Sequence, residues 1–236
     1  MRLKKLLYIL YIRIKERKWK GRLKYIFENN RSNELIIIFS GFSPGAPRYN
    51  YIRSLKSKKV DKLFILDVFG NRGSYYLYEN GVNDPERLTR GLIHHIIKKG
   101  KYNSIITAGS SKGGSCAIYY GLLFGADDIF AGAPQYYIGD YVRQFPEVLQ
   151  GMLGNRPSEE EIEKLNHVLV KTVNHISFDG VIHLLYSKNE HTYSEHIKDM
   201  INDLRKAGDS LELIELQFLD HNDVGAPFSD LLRERI

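Results

Sequence analysis

Residues Leu35–Phe39 read Leu-Ile-Ile-Ile-Phe, with no polar member. A strand of that kind has two apolar faces, and only a sheet covered by helices on both sides buries both. Leu63–Val68, Ser104–Thr107, Asp128–Ala131, Val181–Tyr186 and Leu211–Phe218 read as further strands, separated by helical patterns. This alternation predicts an α/β fold: a mostly parallel sheet of about six strands with helices on both faces. Lys24–Phe27 reads as a short strand ahead of it, turning at Asn29–Asn33.

Start and stop signals support the helices. Asn83-Asp84-Pro85-Glu86 opens one, with Pro where no amide partner is needed, and Lys98-Lys99-Gly100 closes it with cations and a glycine cap. Leu88, Leu92, Ile93, Ile96 and Ile97 mark its buried face. Residues 135–178 break the alternation and contain a capping pair, Ser158 with Glu161 three positions on. They read as a small cap insertion over the carboxyl edge of the sheet. The expected organisation is a basic amphipathic segment, 1–24, followed by a single domain, 25–236.

Charge is unevenly placed. Residues 1–24 hold ten Lys or Arg against one acid, Glu16, so they carry +9 against a whole-chain net of +6 and leave residues 25–236 at −3. An acidic body argues against nucleic acid as the partner, because phosphate neutralisation needs a basic stripe. The apolar run Leu6–Ile12 is too short to span a bilayer, and RIKERKWK after it is no cleavage site. Leu3, Leu7, Leu10 and Ile14 share a helical face among cations. Such a helix fits peripheral contact with an anionic membrane, and equally a docked helix with a solvated basic face; both readings stay open. A single cysteine, Cys116, excludes an internal disulfide framework and a Cys-rich zinc site. No metal-spaced cluster and no dinucleotide fingerprint is present, and KGGS lacks the second Gly-Lys-Ser/Thr of a phosphate loop.

The chemistry centres on Gly109-Ser110-Ser111-Lys112-Gly113, a G-x-S-x-G between a strand and a helix. Ser111 must stand on a tight turn for its hydroxyl to project, and side chains at 109 and 113 would strike backbone. Its place at a helix N-terminus favours developing negative charge. The amide of Lys112 is one natural oxyanion donor, and the amide of Phe42, in the loop after the first long strand, the second. A serine needs an oriented base. Glu190 follows the strand Val181–Tyr186, and His221 follows Leu211–Phe218, so Ser111, Glu190 and His221 stand in the order nucleophile, acid, histidine at strand ends.

Rivals are present. Asp179 and Asp223 compete as the acid, and His191, beside Glu190, competes as the base. His94, His95, His167, His175 and His183 sit in helices, the insertion or a strand and read as structural. Lys112 reads either as a solvated helix-start residue or as the contact for an anionic substrate or acyl donor. Tyr136 and Tyr137, with Tyr119, Tyr120 and Tyr141, read either as lining a sugar pocket or as core. Cys116 reads as a small buried hydrophobe.

From about Glu34 onward, the FSGFSPG and LDVFGNRGS loops with Asp67, the GSSKGG elbow and the ordered acid and histidine resemble a small α/β-hydrolase lacking the first strands of the full fold. The acid is Glu where Asp is commoner, and the oxyanion loop has no HGGG run. The elbow is similar to a narrower set, bacterial capsule and cell-surface glycan O-acetyltransferases and the acetyltransferase of accessory secretion systems. The resemblance implies acyl transfer through an acyl-enzyme on Ser111, a glycan acceptor and acetyl-CoA as donor. The expected location is cytoplasmic, with peripheral contact at the inner face of the membrane following from one of the two readings of residues 1–24. A serine esterase with the same triad, and a non-catalytic scaffold in a glycan-synthesis or secretion complex, are the alternative readings.

Overall fold

The computed structural model describes residues 2–43 and 45–236, with side chains from Leu6 onward. The loop reading at Pro44 and the facing of Leu3 therefore lie outside the described residues.

The strands are β1 (Glu16–Trp19), β2 (Leu23–Glu28), β3 (Glu34–Phe39), β4 (Asp61–Leu66), β5 (Ser104–Ser110), β6 (Asp128–Gly132), β7 (Val181–Ser187) and β8 (Ser210–Leu216). They form one sheet in the order β1-β2-β4-β3-β5-β6-β7-β8. Pairing is parallel from β4 through β8 and antiparallel at β1–β2 and β2–β4. Leu35–Phe39 and Leu63–Ile65 are buried at the centre, as their composition demands.

Two expectations need correction. The sheet has eight strands rather than about six, and the first strands are present rather than lacking. β1 reads Glu-Arg-Lys-Trp, with no apolar alternation to betray it. Backbone pairing to β2 makes it a strand, through a tight turn at Lys20 and Gly21, both at positive φ (49° and 73°). That is the primed geometry that matches strand twist. Part of the basic segment is thus an edge of the sheet.

The helices are α1 (Arg2–Lys15), α2 (Asp84–Gly100), α3 (Lys112–Phe124), α4 (Ile138–Arg143), α5 (Pro146–Leu153), α6 (Glu159–His175), α7 (Lys198–Ala207) and α8 (Gly225–Arg235). They cover both faces of the sheet. At the end of α2 the left-handed residue is Lys101, not Gly100. A Cβ on Gly100 would meet the outer end of the Tyr102 ring at 2.2 Å, so a larger residue there would displace that ring. Ser158 and Glu161 form the reciprocal cap of α6. Within residues 135–178, α6 packs on α3, α4 and α7, whereas α4 and α5 carry the residues that overhang the sheet's carboxyl edge.

At the opposite edge His183 stacks on Phe130 and places Nδ1 2.5 Å from Glu212 and Nε2 2.6 Å from Asp128. The arrangement ties β6, β7 and β8 together.

Candidate active site

The elbow is built as its glycines require. A Cβ on Gly109 would stand 2.2 Å from the Gly113 carbonyl oxygen, and one on Gly113 would stand 2.6 Å from the Phe39 oxygen. Both lie far inside contact distance, so helix α3 can leave strand β5 this abruptly only with glycine at each place. Ser111 itself has φ 54° and ψ −128°, a backbone state costing on the order of 1–3 kcal/mol for a residue with a side chain. It is locked there by its amide to the Gly132 oxygen (2.7 Å) and by the Gly114 amide to its own oxygen (2.8 Å).

Three distant stretches then meet. Ser111 Oγ lies 2.7 Å from His221 Nε2, and His221 Nδ1 lies 2.8 Å from Glu190 Oε1. Glu190 is buried beside the end of β7. Burial pushes its carboxyl up, but the hydrogen bonds from His221 and Thr192 outweigh this and hold it below the ordinary carboxylate range. An ionised Glu190 can only accept, so Nδ1 carries the ring proton and Nε2 is free to take one from Ser111. Thr192 donates through both its amide and its hydroxyl to Glu190, which fixes the carboxylate plane. The rival His191 also approaches Glu190, at 3.4 Å, but it is half-exposed, and His221 is the ring that reaches Ser111. Asp223 lies in the turn after His221, and neither it nor Asp179 bonds to the ring.

Other expected site residues are placed differently. The Lys112 side chain is fully buried, with Nζ 2.8 Å from Asp67 Oδ2 and 4.6 Å from the centre of the Tyr76 ring. It does not line the cavity. Asp67 also accepts from the amides of Ser74 (2.7 Å) and Tyr76 (3.2 Å). A buried ammonium needs a paired carboxylate more than it can serve a ligand, so Lys112 as a substrate contact is corrected to an internal ion pair beneath the elbow. Its amide, first in α3, keeps the free N–H of a helix start. Phe42 lines the cavity, and the amide before it, Gly41, is taken by Asn50 Oδ1 (3.1 Å).

Tyr136 and Tyr137 are corrected in the same way. Tyr136 is buried and bonds Asp203, and Tyr137 bonds Asp199, so both hydroxyls serve α7 and not the cavity. Tyr119 and Tyr120 bond Glu86 and the Tyr76 carbonyl. Of that set only Tyr141 lines the cavity, and burial pushes its hydroxyl above the usual phenol range. Cys116 is buried, and burial likewise raises its thiol.

The cavity has a volume of about 610 Å³. Its walls include Phe42, Tyr51, Arg72, Tyr141, Phe145 and His221 around Ser111. Sequence reading missed Gln135, although it stands just past the end of β6, where a strand end points at the site. Its side-chain amide nitrogen is 3.2 Å from Ser111 Oγ and 3.4 Å from His221 Nε2, and its oxygen accepts from Tyr75 (3.1 Å). It also missed Tyr51, which bonds Ser110. Neither residue belongs to a local motif; a single glutamine after a proline carries no signal of its own.

No family model matches the chain, and none of the curated proteins does. Solved structures do resemble it. A capsule O-acetyltransferase of Neisseria meningitidis serogroup A is 23% identical, with a TM-score of 0.79, over 93% of this chain and 92% of that one. A variant of that enzyme has been solved in complex with CoA. The glycosylation-associated Gap123 complex of Streptococcus agalactiae gives 22% identity and a TM-score of 0.76, over 90% of this chain and 44% of that one. The fluorophosphonate-binding serine hydrolase FphF of Staphylococcus aureus gives 14% and 0.62, over 89% of this chain and 90% of that one. Backbone likeness at such low identity speaks for architecture, and this chain has the α/β-hydrolase-like fold.

Proposed function

We propose that this protein is a serine acyltransferase that moves an acetyl group from acetyl-CoA to a hydroxyl of a cell-surface or capsular polysaccharide. The observation that carries the reading is the unbroken chain Ser111 Oγ, His221, Glu190, at 2.7 and 2.8 Å, opening into a cavity large enough for part of a sugar chain.

In the first half-reaction His221 Nε2 takes the Ser111 proton as Oγ attacks the thioester carbonyl carbon. The oxyanion is held by the amides of Lys112 and Phe42. Its collapse breaks the C–S bond, the thiolate leaves with the proton from His221, and the acetyl group stays on Ser111. In the second half-reaction a sugar hydroxyl gives its proton to His221 and attacks the acyl-enzyme carbonyl; the bond from that carbon to Ser111 Oγ then breaks, Ser111 takes the proton back from His221, and the acetylated sugar leaves. Glu190 holds the ring and offsets its positive charge. Phe42, Tyr51, Tyr141 and Phe145 give the cavity an aromatic wall, and Arg72, over the Phe42 and Phe145 rings and paired with Glu147, adds a cation to it.

The likeness to a capsule O-acetyltransferase, and its CoA complex, favour transfer over hydrolysis. Esterase action is the second reading, favoured by the serine hydrolase neighbour, since water in place of the sugar hydroxyl completes the same cycle. The decisive experiment has two stages. A fluorophosphonate probe labels the folded wild type and not Ser111→Ala; absence of labelling turns the reading toward a non-catalytic scaffold. Incubation with acetyl-CoA and a panel of bacterial glycans, read by mass spectrometry, then gives acetylated glycan if transfer is correct and free acetate alone if the protein is an esterase.

A further inference from the structure

Seven large apolar side chains are exposed among the described residues, and five of them, Leu6, Leu7, Ile9, Leu10 and Ile14, lie on α1. At 100° per residue, Leu6, Leu7, Leu10 and Ile14 fall within about 100° of the helix circumference. They are 52–69% exposed. The opposite face holds the helix to the body: the Tyr8 hydroxyl donates to the Tyr49 carbonyl (3.3 Å), the Tyr11 hydroxyl donates to Glu28 (2.6 Å), and Ile12 packs on the core. α1 is therefore already docked, through its polar and aromatic side, and its aliphatic stripe points away from the domain.

The charge around that stripe has the same character. Among the described side chains of residues 6–24 the ion pairs are those of Arg22 with Glu79 and Asp84 and of Lys24 with Glu16. Arg13, Lys15, Arg17, Lys18 and Lys20 are exposed and have no carboxylate partner among the described residues. Arg13 borders the aliphatic stripe on the helix, and Lys15, Arg17, Lys18 and Lys20 follow it in the adjoining segment; an apolar stripe in so basic a segment is complementary to a surface that is apolar just below a layer of negative headgroups. No helix among the described residues is long and apolar enough to cross a membrane, so the helix would lie along it.

We infer that α1 forms a membrane-docking face that seats on an anionic lipid bilayer, with Leu6, Leu7, Leu10 and Ile14 in the acyl boundary, Arg13 at the headgroups, and the other cations of the α1–β1 segment adding attraction through the surface potential. Tyr49, which receives the α1 contact, is two residues from Tyr51 in the wall of the cavity over Ser111. The docking helix thus contacts the segment that leads to the rim of the candidate active site.

The test is co-sedimentation of the full chain with vesicles of phosphatidylcholine alone or mixed with phosphatidylglycerol. The wild type should partition at least ~10-fold more strongly onto the anionic vesicles and lose that preference as salt rises. Leu7→Glu/Leu10→Glu should lose ~10-fold or more of the partition, and Arg13→Gln/Arg17→Gln/Lys18→Gln should lose the preference for anionic lipid. Circular dichroism and thermal melting verify that each variant is folded. Equal binding to both vesicle types, or undiminished binding of the Leu7→Glu/Leu10→Glu protein, overturns the inference. So does wild-type self-association that the same pair of substitutions abolishes, with no vesicle binding, since the stripe would then be a protein contact. Deleting residues 1–24 is the wrong experiment, because it removes β1 from the sheet.

Discussion

Lys112 Nζ and Asp67 Oδ2 are 2.8 Å apart, and both side chains are wholly shielded from solvent. The pair joins the first residue of α3 to the loop after β4, directly beneath Ser111 and against Phe42, whose ring centre is 5.6 Å from the ammonium. It braces the elbow against the loop after β4.

Breaking that pair from one side should be severe. Lys112→Met leaves a buried, partly uncompensated carboxylate and is expected to cost about 3–5 kcal/mol. Lys112→Met/Asp67→Asn removes both charges while the introduced side-chain amide oxygen still accepts from backbone amides, and should recover a substantial part. Urea unfolding of the two variants checks this; equal losses would mean that the charge itself is unimportant.

Glu190 acts through His221, so Glu190→Gln should leave Ser111 in place yet lower turnover by roughly 10³–10⁴. A neutral amide can donate to Nδ1 and so favours the wrong tautomer. The carboxyl lies below its ordinary range in the folded protein. The group therefore adds stability that is full above its unfolded value and lost as pH falls through the folded one. Kinetics of acetyl-CoA or aryl acetate turnover, with acid unfolding of both proteins, measures both effects.

Gln135 is expected to position the nucleophile. Its amide donates to Ser111 Oγ at 3.2 Å, so the hydroxyl hydrogen is left to point at His221. Gln135→Leu keeps the volume but removes this donor and the acceptor for Tyr75. A loss of about 1 kcal/mol, several-fold in kcat with little change in KM, is expected. Gln135→Glu should be more harmful, since a second carboxylate beside His221 opposes the oxyanion; a pH–rate profile separates the two variants.

His196 supplies an acid-sensitive element. The ring is buried between Tyr137 and Tyr141, its Nδ1 accepts from the Tyr137 amide (3.3 Å), and its Nε2 has no partner among the described residues. Burial is the main cause that holds its pKa down at about 4. Asp140 and Glu190 pull the other way, and His191 and His221 reinforce the depression. Between the ordinary value of about 6.5 and 4 the unfolded chain binds the extra proton, so stability falls as pH falls through that window. From pH 7 to 5 the contribution is about 2 kcal/mol. His196→Gln, with an acceptor but no titration, should flatten the loss seen by urea unfolding at the two pH values.

Much of this protein is legible along the chain. Continuous apolar runs identify β3 and β4 as central strands because a side chain on either face must meet a helix. The elbow is legible because only glycine fits within 2.2–2.6 Å of facing backbone. Glu190 and His221 are legible by order, since each follows a strand whose carboxyl end points at one place. The strand β1 is not, because Glu-Arg-Lys-Trp has no periodicity and becomes a strand only when β2 offers its hydrogen-bonding edge.

The sequence by itself determined the parallel α/β architecture, the strained serine and the order of the three residues aligned with it, because local sterics and hydrophobic periodicity act over a few residues. Tertiary structure alone decided which tyrosines face the cavity, that the Lys112 ammonium turns inward to Asp67, that Gln135 touches Ser111, and that α1 shows its leucines to the outside. Those outcomes depend on which side chains from elements far apart in the chain compete for the same buried partner, and burial makes each winner exclusive.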